Sequence, residues 1–184
     1  MKCPAEGESF AGLFKEGIMK CCLIGNEALA LVPFMGYDMA DWLACWQDEG
    51  TQRGFNFIPP EDPTWLLRQL ELRFPFWATA VRKATGERIG VLRLSPDEQQ
   101  PDLAIWMYPA YRGQGLGTQC FALALQYLSD HGYREIHAGC LETNERSRRM
   151  LIRCGFSRWA DGDEAEKCVF TGRNIMMHGY RCVL

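Results

Sequence analysis

At 184 residues, 47% hydrophobic and 23% charged with a formal net charge of -3, the chain has the make-up of one ordinary soluble domain, large enough to bury a core without metal or disulfide staples. Its apolar runs are far too short to cross a bilayer, and no Lys/Arg block with interleaved aromatics suggests nucleic acid, so neither membrane nor nucleic acid is an expected partner. Nine scattered cysteines without a Cys-x-x-Cys pair, beside only three histidines, offer no metal-ligand spacing and read as inert reduced thiols.

Residues 1–20 read as an extension in which Phe10, Leu13, Phe14 and Ile18 recur at helical spacing. Glu6, Glu8 and Glu16, with no apolar block, argue against a signal peptide and for a cytoplasmic protein. Residues 21–184 read as the folded domain. Cys21 to Ile24 and Ala28 to Val32 suggest a strand or hairpin leading to Pro33. Asp38 is placed to cap a helix through Glu49 with Met39, Trp42, Leu43 and Trp46 on one face. Gly50 to Pro60 reads as a loop, and Asp62-Pro63 opens a second helix to about Arg73.

Phe76 to Lys83 and Arg88 to Ser95 flank a short glycine-bearing loop and read as a hairpin, with Leu103 to Tyr108 as the next strand. Arg112-Gly113-Gln114-Gly115-Leu116-Gly117-Thr118 then reads as an anion cradle. Glycines without Cβ let consecutive N–H groups turn toward one phosphate at the positive end of the helix that follows. A dinucleotide fingerprint would need glycine where Thr118 stands, and Gly-Lys-Ser/Thr of a P-loop is absent. Leu116, Cys120, Leu123, Ala124, Tyr127 and Leu128 form the core-facing stripe of a helix to Asp130. Arg134 to Leu141 returns as a strand, Asn144 starts a helix to about Arg153, and Phe156 to Trp159 and Val169 to Leu184 close the chain around an acidic loop. Strands first antiparallel, then alternating with helices, predict one mixed α/β sheet.

Arg112-x-x-Gly115-x-Gly117 after a strand resembles the signature of the GCN5-related N-acetyltransferases (GNAT), and Asn144-x-x-Ser147 followed by Cys154-Gly155-Phe156 resembles the RimJ and RimL branch, which acetylates ribosomal-protein N-termini. The similarity runs from about Leu29 to the C-terminus. It implies the GNAT fold: an α/β (α+β) domain whose mostly antiparallel sheet has a splayed strand pair and flanking helices. It also implies acetyl-CoA as cosubstrate and no metal. Its pyrophosphate would lie on Arg112, Gly113, Gln114, Gly115, Leu116, Gly117 and Thr118, and its pantetheine arm against the backbone of Ile105, Trp106 and Met107. Asn144 would bond the cosubstrate from its helix start, where the residues alone read equally as an N-cap. Ser147, one turn along, would serve the departing thiolate, because the position where other members carry a tyrosine is Leu151.

The proton acceptor is harder to assign. An α-amine with pKa near 7.7 to 8 needs about 1 kcal/mol to deprotonate at pH 7, a lysine about 4 to 5, so an α-amine barely needs a strong base. Glu142, Glu166, His137 and Asp102 are the possible acceptors, Glu166 ranked first because RimL-type enzymes can supply a glutamate there; the strand position where some members carry one is Gly139. Asp161, Asp163, Glu164 and Glu166 could attract an amine or be a solvated turn, and Phe55 to Ile58 could wall a pocket or simply pack. The implied reaction is acetyl transfer to a primary amine by direct attack. A protein N-terminus or small amine is the partner, a homodimer stays open, and the rivals are a small-amine or antibiotic acetyltransferase and a non-catalytic acyl-CoA sensor.

Overall fold

The computed structural model describes residues 21–184, so the helix expected around Phe10 to Ile18, and with it the boundary at residue 20, lies outside the described residues. Strands β1 (Ile24–Gly25) and β2 (Leu29–Pro33) pair as the expected hairpin, turned by Asn26, whose Oδ1 accepts from the N–H groups of Ala28 and Leu29 at 2.9 and 2.8 Å. Helix α1 (Met39–Trp46) follows. Asp38 precedes it but does not cap it with its side chain. Its carboxylate, 1% exposed, accepts from the Met35 N–H at 2.8 Å and pairs with Arg88 Nε at 2.6 Å.

The expected loop from Gly50 contains a second helix, α2 (Glu49–Phe55), capped where Asp48 accepts the Thr51 N–H at 2.8 Å and ended by Asn56 in the left-handed region at φ 49°. Its glycines mark close packing instead of a turn. A Cβ on Gly50 would lie 3.0 Å from an Arg112 guanidinium nitrogen, and one on Gly54 would lie 3.4 Å from Asn144 Nδ2. Helix α3 (Thr64–Glu71) starts after Asp62-Pro63 as read, with the Asp62 carboxylate accepting from the Thr64 N–H and hydroxyl at 3.0 and 2.6 Å.

Strands β3 (Trp77–Arg82), β4 (Arg88–Leu94) and β5 (Leu103–Met107) extend the first sheet in the order β1-β2-β3-β4-β5. After α4 (Leu116–Asp130), strand β6 (Glu135–Leu141), helix α5 (Glu145–Arg153) and strands β7 (Ser157–Arg158), β8 (Glu164–Lys167) and β9 (Asn174–Val183) complete the chain. Part of the expected acidic loop is therefore a strand. β6, β7 and β8 all pair with β9, and every ladder is antiparallel. The single mixed sheet of the sequence reading is divided in two. β5 and β6 meet only at the parallel bridge of Asp102 and His137, where the His137 N–H donates to Pro101 O at 2.9 Å, and this is the splayed pair.

The strand pleat gives each side of the first sheet its own core. Ile105 and Met107 pack toward α4, with Cys120, Phe121, Ala124 and Leu128, each fully buried leucine contributing about 1.5–3 kcal/mol. Ala104, Trp106 and Tyr108 face a second, aromatic cluster with Trp42 and Trp46 of α1 and Leu66 of α3. Gly90 of β4 sits where a Cβ would lie 2.5 Å from the Trp106 carbonyl oxygen. Gly90→Ala should therefore destabilise the fold by about 1–3 kcal/mol, seen as a lower urea midpoint with unchanged slope.

Candidate functional site

The glycine loop joins the end of β5 to α4. Gly113 and Gly115 adopt φ 76° and 75°, and a Cβ on either would meet nothing within 4 Å, so backbone twist and not space demands glycine there. The N–H groups of Gly113, Gln114 and Gly115 find no acceptor among the described residues, and those of Leu116, Gly117 and Thr118 lie in the first turn, where a helix supplies none. Six consecutive donors thus gather at a helix N-terminus, as an anion requires. Gly117 has a different reason. A Cβ there would press on Met107 Cγ at 3.3 Å and Met150 Sδ at 3.7 Å, so its absence lets α4 start against β5 and α5.

Arg112 departs from the expectation of a phosphate ligand. Its guanidinium turns back into the protein, donating to Met107 O at 2.9 Å, Asp48 Oδ2 at 2.5 Å and Thr51 Oγ1 at 2.6 Å, and its N–H donates to Pro109 O. These bonds fix α2 to the end of β5. Gln114 likewise folds its side chain onto Ala110 O at 2.9 Å, leaving anion binding to the backbone.

Hydrogen-bond parity divides the expected pantetheine strand. The Tyr108 N–H donates to Ile89 O and the Ser95 N–H to Asp102 O, so even-numbered β5 residues turn their backbone to β4 while Ile105 and Met107 face the gap. Trp106 is therefore not an edge residue: its peptide pairs with β4 and its indole, 3% exposed, belongs to the aromatic cluster. On the opposite edge, Glu142 pairs with Met176 of β9, which leaves His137, Gly139 and Leu141 facing β5. The far ends of the gap carry the glycine loop and Asn144.

Asn144 takes the N-cap position read for it. Its Oδ1 accepts the Ser147 N–H at 3.1 Å as an N-cap, while its Nδ2 faces Gly54 of α2. α2 thus reaches from Arg112 on one side of the gap to Asn144 on the other. Ser147 is half-exposed, and the nearby Cys140 thiol, whose pKa burial pushes up, donates to Asn144 O at 3.3 Å.

The four carboxylate and imidazole candidates separate cleanly. Glu142 accepts the Met176 N–H at 3.1 Å and holds the edge of β9; it lines a cavity of about 590 Å³ with Arg148 and Tyr180 that includes no residue of β5 or the glycine loop. His137 is buried, its Nε2 3.0 Å from Glu135 and its ring 4.6 Å from that of Trp159. Glu166 accepts from Asn56 Nδ2 at 2.8 Å through Oε2, while its Oε1 is buried without a partner. Asn56 also bonds Lys167 O and the Val169 N–H, so this group ties the C-terminal end of α2 to β8.

Asp102 stands at the vertex of the gap, bridged to His137. Burial pushes its carboxyl up to about 6, against the opposing pull of the Gly139 N–H that it accepts and the charge of Arg93. It also opens onto a cavity of about 380 Å³ walled by Trp42, Trp46, Phe55, Phe57, Trp65 and Trp106, with Arg93 and Gln69. The aromatic spacing on α1 predicted core, and nothing in the sequence tied Arg93 of β4 to Asp102 at the start of β5. Their register could not be read without the bend between β4 and β5.

Split sheet, glycine loop and a carboxyl at the vertex define an α/β acyltransferase-type fold. Residues 28–157 match the acetyltransferase (GNAT) domain family, and the chain belongs to that family. It resembles spermidine N-acetyltransferase from Vibrio cholerae, solved with CoA and spermine, at 16% identity and TM-score 0.73 over 86% of this chain and 96% of that one. Ribosomal-protein-S5-alanine acetyltransferase from Vibrio fischeri is similar at 15% identity and TM-score 0.68, over 86% and 94%. An uncharacterized protein of Methanocaldococcus jannaschii is 22% identical over 161 residues; the match takes in 81% of this chain but spans only about a third, 32%, of that protein. Among the described residues no helix is long and apolar enough to cross a membrane, and no group of His, Cys, Asp and Glu could hold a metal.

The Asp102 environment has a measurable consequence. Between its ordinary value of 3.8 and about 6, the folded chain holds a proton that the unfolded chain has released, so stability falls as pH rises through that window. Asp102→Asn keeps an acceptor for Gly139 and removes the buried charge. It should raise stability by about 1–3 kcal/mol at about pH 7.5 and leave it unchanged at about pH 3.5, read from thermal melts; an equal difference at both would refute the charge-burial account.

Proposed function

We propose that the chain is an acetyl-CoA-dependent N-acetyltransferase, residues 21–184 forming the catalytic domain, that moves acetyl to a primary amine by direct attack. The observation that carries this reading is the gap between β5 and β6, with a cradle of free N–H groups at its open end and Asp102 at its vertex. The cradle fits a pyrophosphate, and the Ile105 and Met107 edge fits an extended arm bearing amides, because each presents unpaired backbone groups. Acetyl-CoA bound there supplies an acetyl thioester. Asn144 Nδ2 and the edge of β5 orient the arm, and α2 shields it from water.

Asp102 takes the base role for which Glu166 ranked first. A carboxyl at about 6 receives a proton from an α-amine near 7.7 to 8 for about 2–3 kcal/mol, against about 5–6 for a carboxyl at its ordinary 3.8. A lysine side chain near 10.4 would add about 3 kcal/mol to that cost, so the site suits an α-amine. The nitrogen lone pair then forms the bond to the acetyl carbon as the carbon–sulfur bond breaks, and the amine's second proton ends on the thiolate. Ser147, whose N–H is held by the Asn144 cap, fits a positioning role for α5. Asn144-x-x-Ser147 and Gly155-Phe156 support kinship with the RimJ and RimL branch; the aromatic lining of the cavity favours an acceptor with an apolar group.

Initial rates with both substrates varied should give intersecting lines, with acetylated amine detected by mass; parallel lines, or an acetyl group trapped on a cysteine, would overturn direct transfer. Gly113→Val should weaken acetyl-CoA binding at least about tenfold, since φ 76° excludes a branched side chain. The acid limb of kcat/KM should fall at about pH 6 and vanish in Asp102→Asn, whose kcat drops about 10²-fold or more.

A further inference from the structure

The cavity beside Asp102 is lined by one guanidinium, one carboxyl, one carboxamide and a wall of aromatic rings. Arg93 donates from one guanidinium nitrogen to Gln69 Oε1 at 2.9 Å, and its other N–H groups meet no acceptor among the described residues. No oxygen or nitrogen accepts from the indole N–H of Trp42, Trp46, Trp65 or Trp106, although all four nitrogens are buried and all four residues line the cavity. The guanidinium lies 5.2 Å from the Trp106 ring centroid and 4.2 Å from that of Phe74, a cation already seated among the aromatics. Arg93 opposes Ala104 across the β4–β5 ladder, so Asp102, two residues along, is its diagonal neighbour on the same sheet face. A cation and a carboxylate therefore stand side by side, the carboxylate at the vertex and the aromatic walls beyond.

We propose that this cavity takes a free α-amino acid with a bulky apolar side chain as the acetyl acceptor: its carboxylate on Arg93, its amine at Asp102, its side chain among Trp42, Trp46, Trp65 and Phe55. The assignment rests on the acetyltransferase reading of the site. An α-amino acid carries its amine and its carboxylate on one carbon, matching the neighbouring Asp102 and Arg93. A polyamine has no group for Arg93 and is repelled by it, and a protein N-terminus presents an amide where the free acid presents a carboxylate. About 380 Å³ is at the small end of ligand pockets, roughly 300–1,000 Å³, and suits one such molecule. In the transfer, the amine gives one proton to Asp102, its nitrogen bonds the acetyl carbon as the thioester carbon–sulfur bond breaks, and its second proton ends on the thiolate.

The test uses the full chain and two independent readouts. Tryptophan emission is titrated with L-leucine, L-phenylalanine, their amides, spermidine and an alanine-initiated peptide. The same panel is then incubated with acetyl-CoA and products are read by mass. The free acids should shift emission saturably, bind at least tenfold tighter than their amides and give the highest kcat/KM. Arg93→Gln should raise KM for the acids at least tenfold more than for the amides, so that the preference collapses. The acid-to-amide ratio in the unaltered protein carries the test even where that variant fails to fold. Equal binding of acid and amide, or spermidine or peptide turned over faster than every amino acid, overturns the acceptor assignment and leaves the acetyltransferase reading standing. Amino acids that bind with the acid preference but yield no acetylated product uphold the cavity's ligand class and overturn the transferase reading.

Discussion

The missing ladder between β5 and β6 is the constraint on which the rest of the site depends. Two adjacent parallel strands with facing backbone groups would ordinarily close into a continuous sheet, since unpaired peptide edges in a protein interior are costly. Here closure stops at Asp102 and His137. Beyond that bridge α2 holds the strands apart, anchored to β5 through Arg112, Asp48 and Thr51 and to β8 through Asn56, Glu166 and Lys167. Asn56 takes a left-handed backbone to make the second anchor. Arg112, first read as a pyrophosphate ligand, and Glu166, first read as the proton acceptor, thus form the two ends of one brace.

The vertex shows how the same geometry sets the electrostatics. Asp102 has one backbone donor from Gly139 and one nearby cation, too little to offset burial, and its carboxyl rises to about 6. Burial likewise draws Arg93 down to about 10, with Asp102 opposing that shift. Neither charge is fully satisfied by the other. A buried pair of this kind is poor for stability, because desolvation outweighs an incomplete attraction, and unfilled donors around it add to the cost. Such under-satisfaction is expected where a ligand, not the fold, completes the network.

How much of this was legible in the sequence follows from which interactions are local. The glycine loop, the Asn144 cap, the stripe on α4 and the β3–β4 hairpin depend on neighbours a few residues apart, and all appear where spacing placed them. α2 was missed because Gly50 and Gly54 signal a turn locally, while their real partners, Arg112 and Asn144, are far away in the chain. Asp38 was misassigned for the same reason: a distant Arg88 outcompetes the local cap. The division of Ile105 and Met107 from Trp106 needed only strand parity, yet which parity faces the gap is decided by the register with β4, which no local pattern encodes.

β5 separates the two reactants by its own pleat and hydrogen-bond parity. Its odd-numbered residues give their backbone to the gap and their side chains to the α4 layer; its even-numbered residues give their backbone to β4 and the side chains of Ala104 and Trp106 to the aromatic cavity. One strand of five residues thus borders both compartments, and Asp102, just before it, lines the cavity and bridges to β6. An acyl carrier on the protein would need a nucleophile at that junction. Cys45, a buried thiol of the aromatic cluster, lies against Arg112 and Thr51, and burial raises its pKa, so it stays a neutral packing group. The proposed direct transfer needs donor and acceptor bound together, one on each side of this strand.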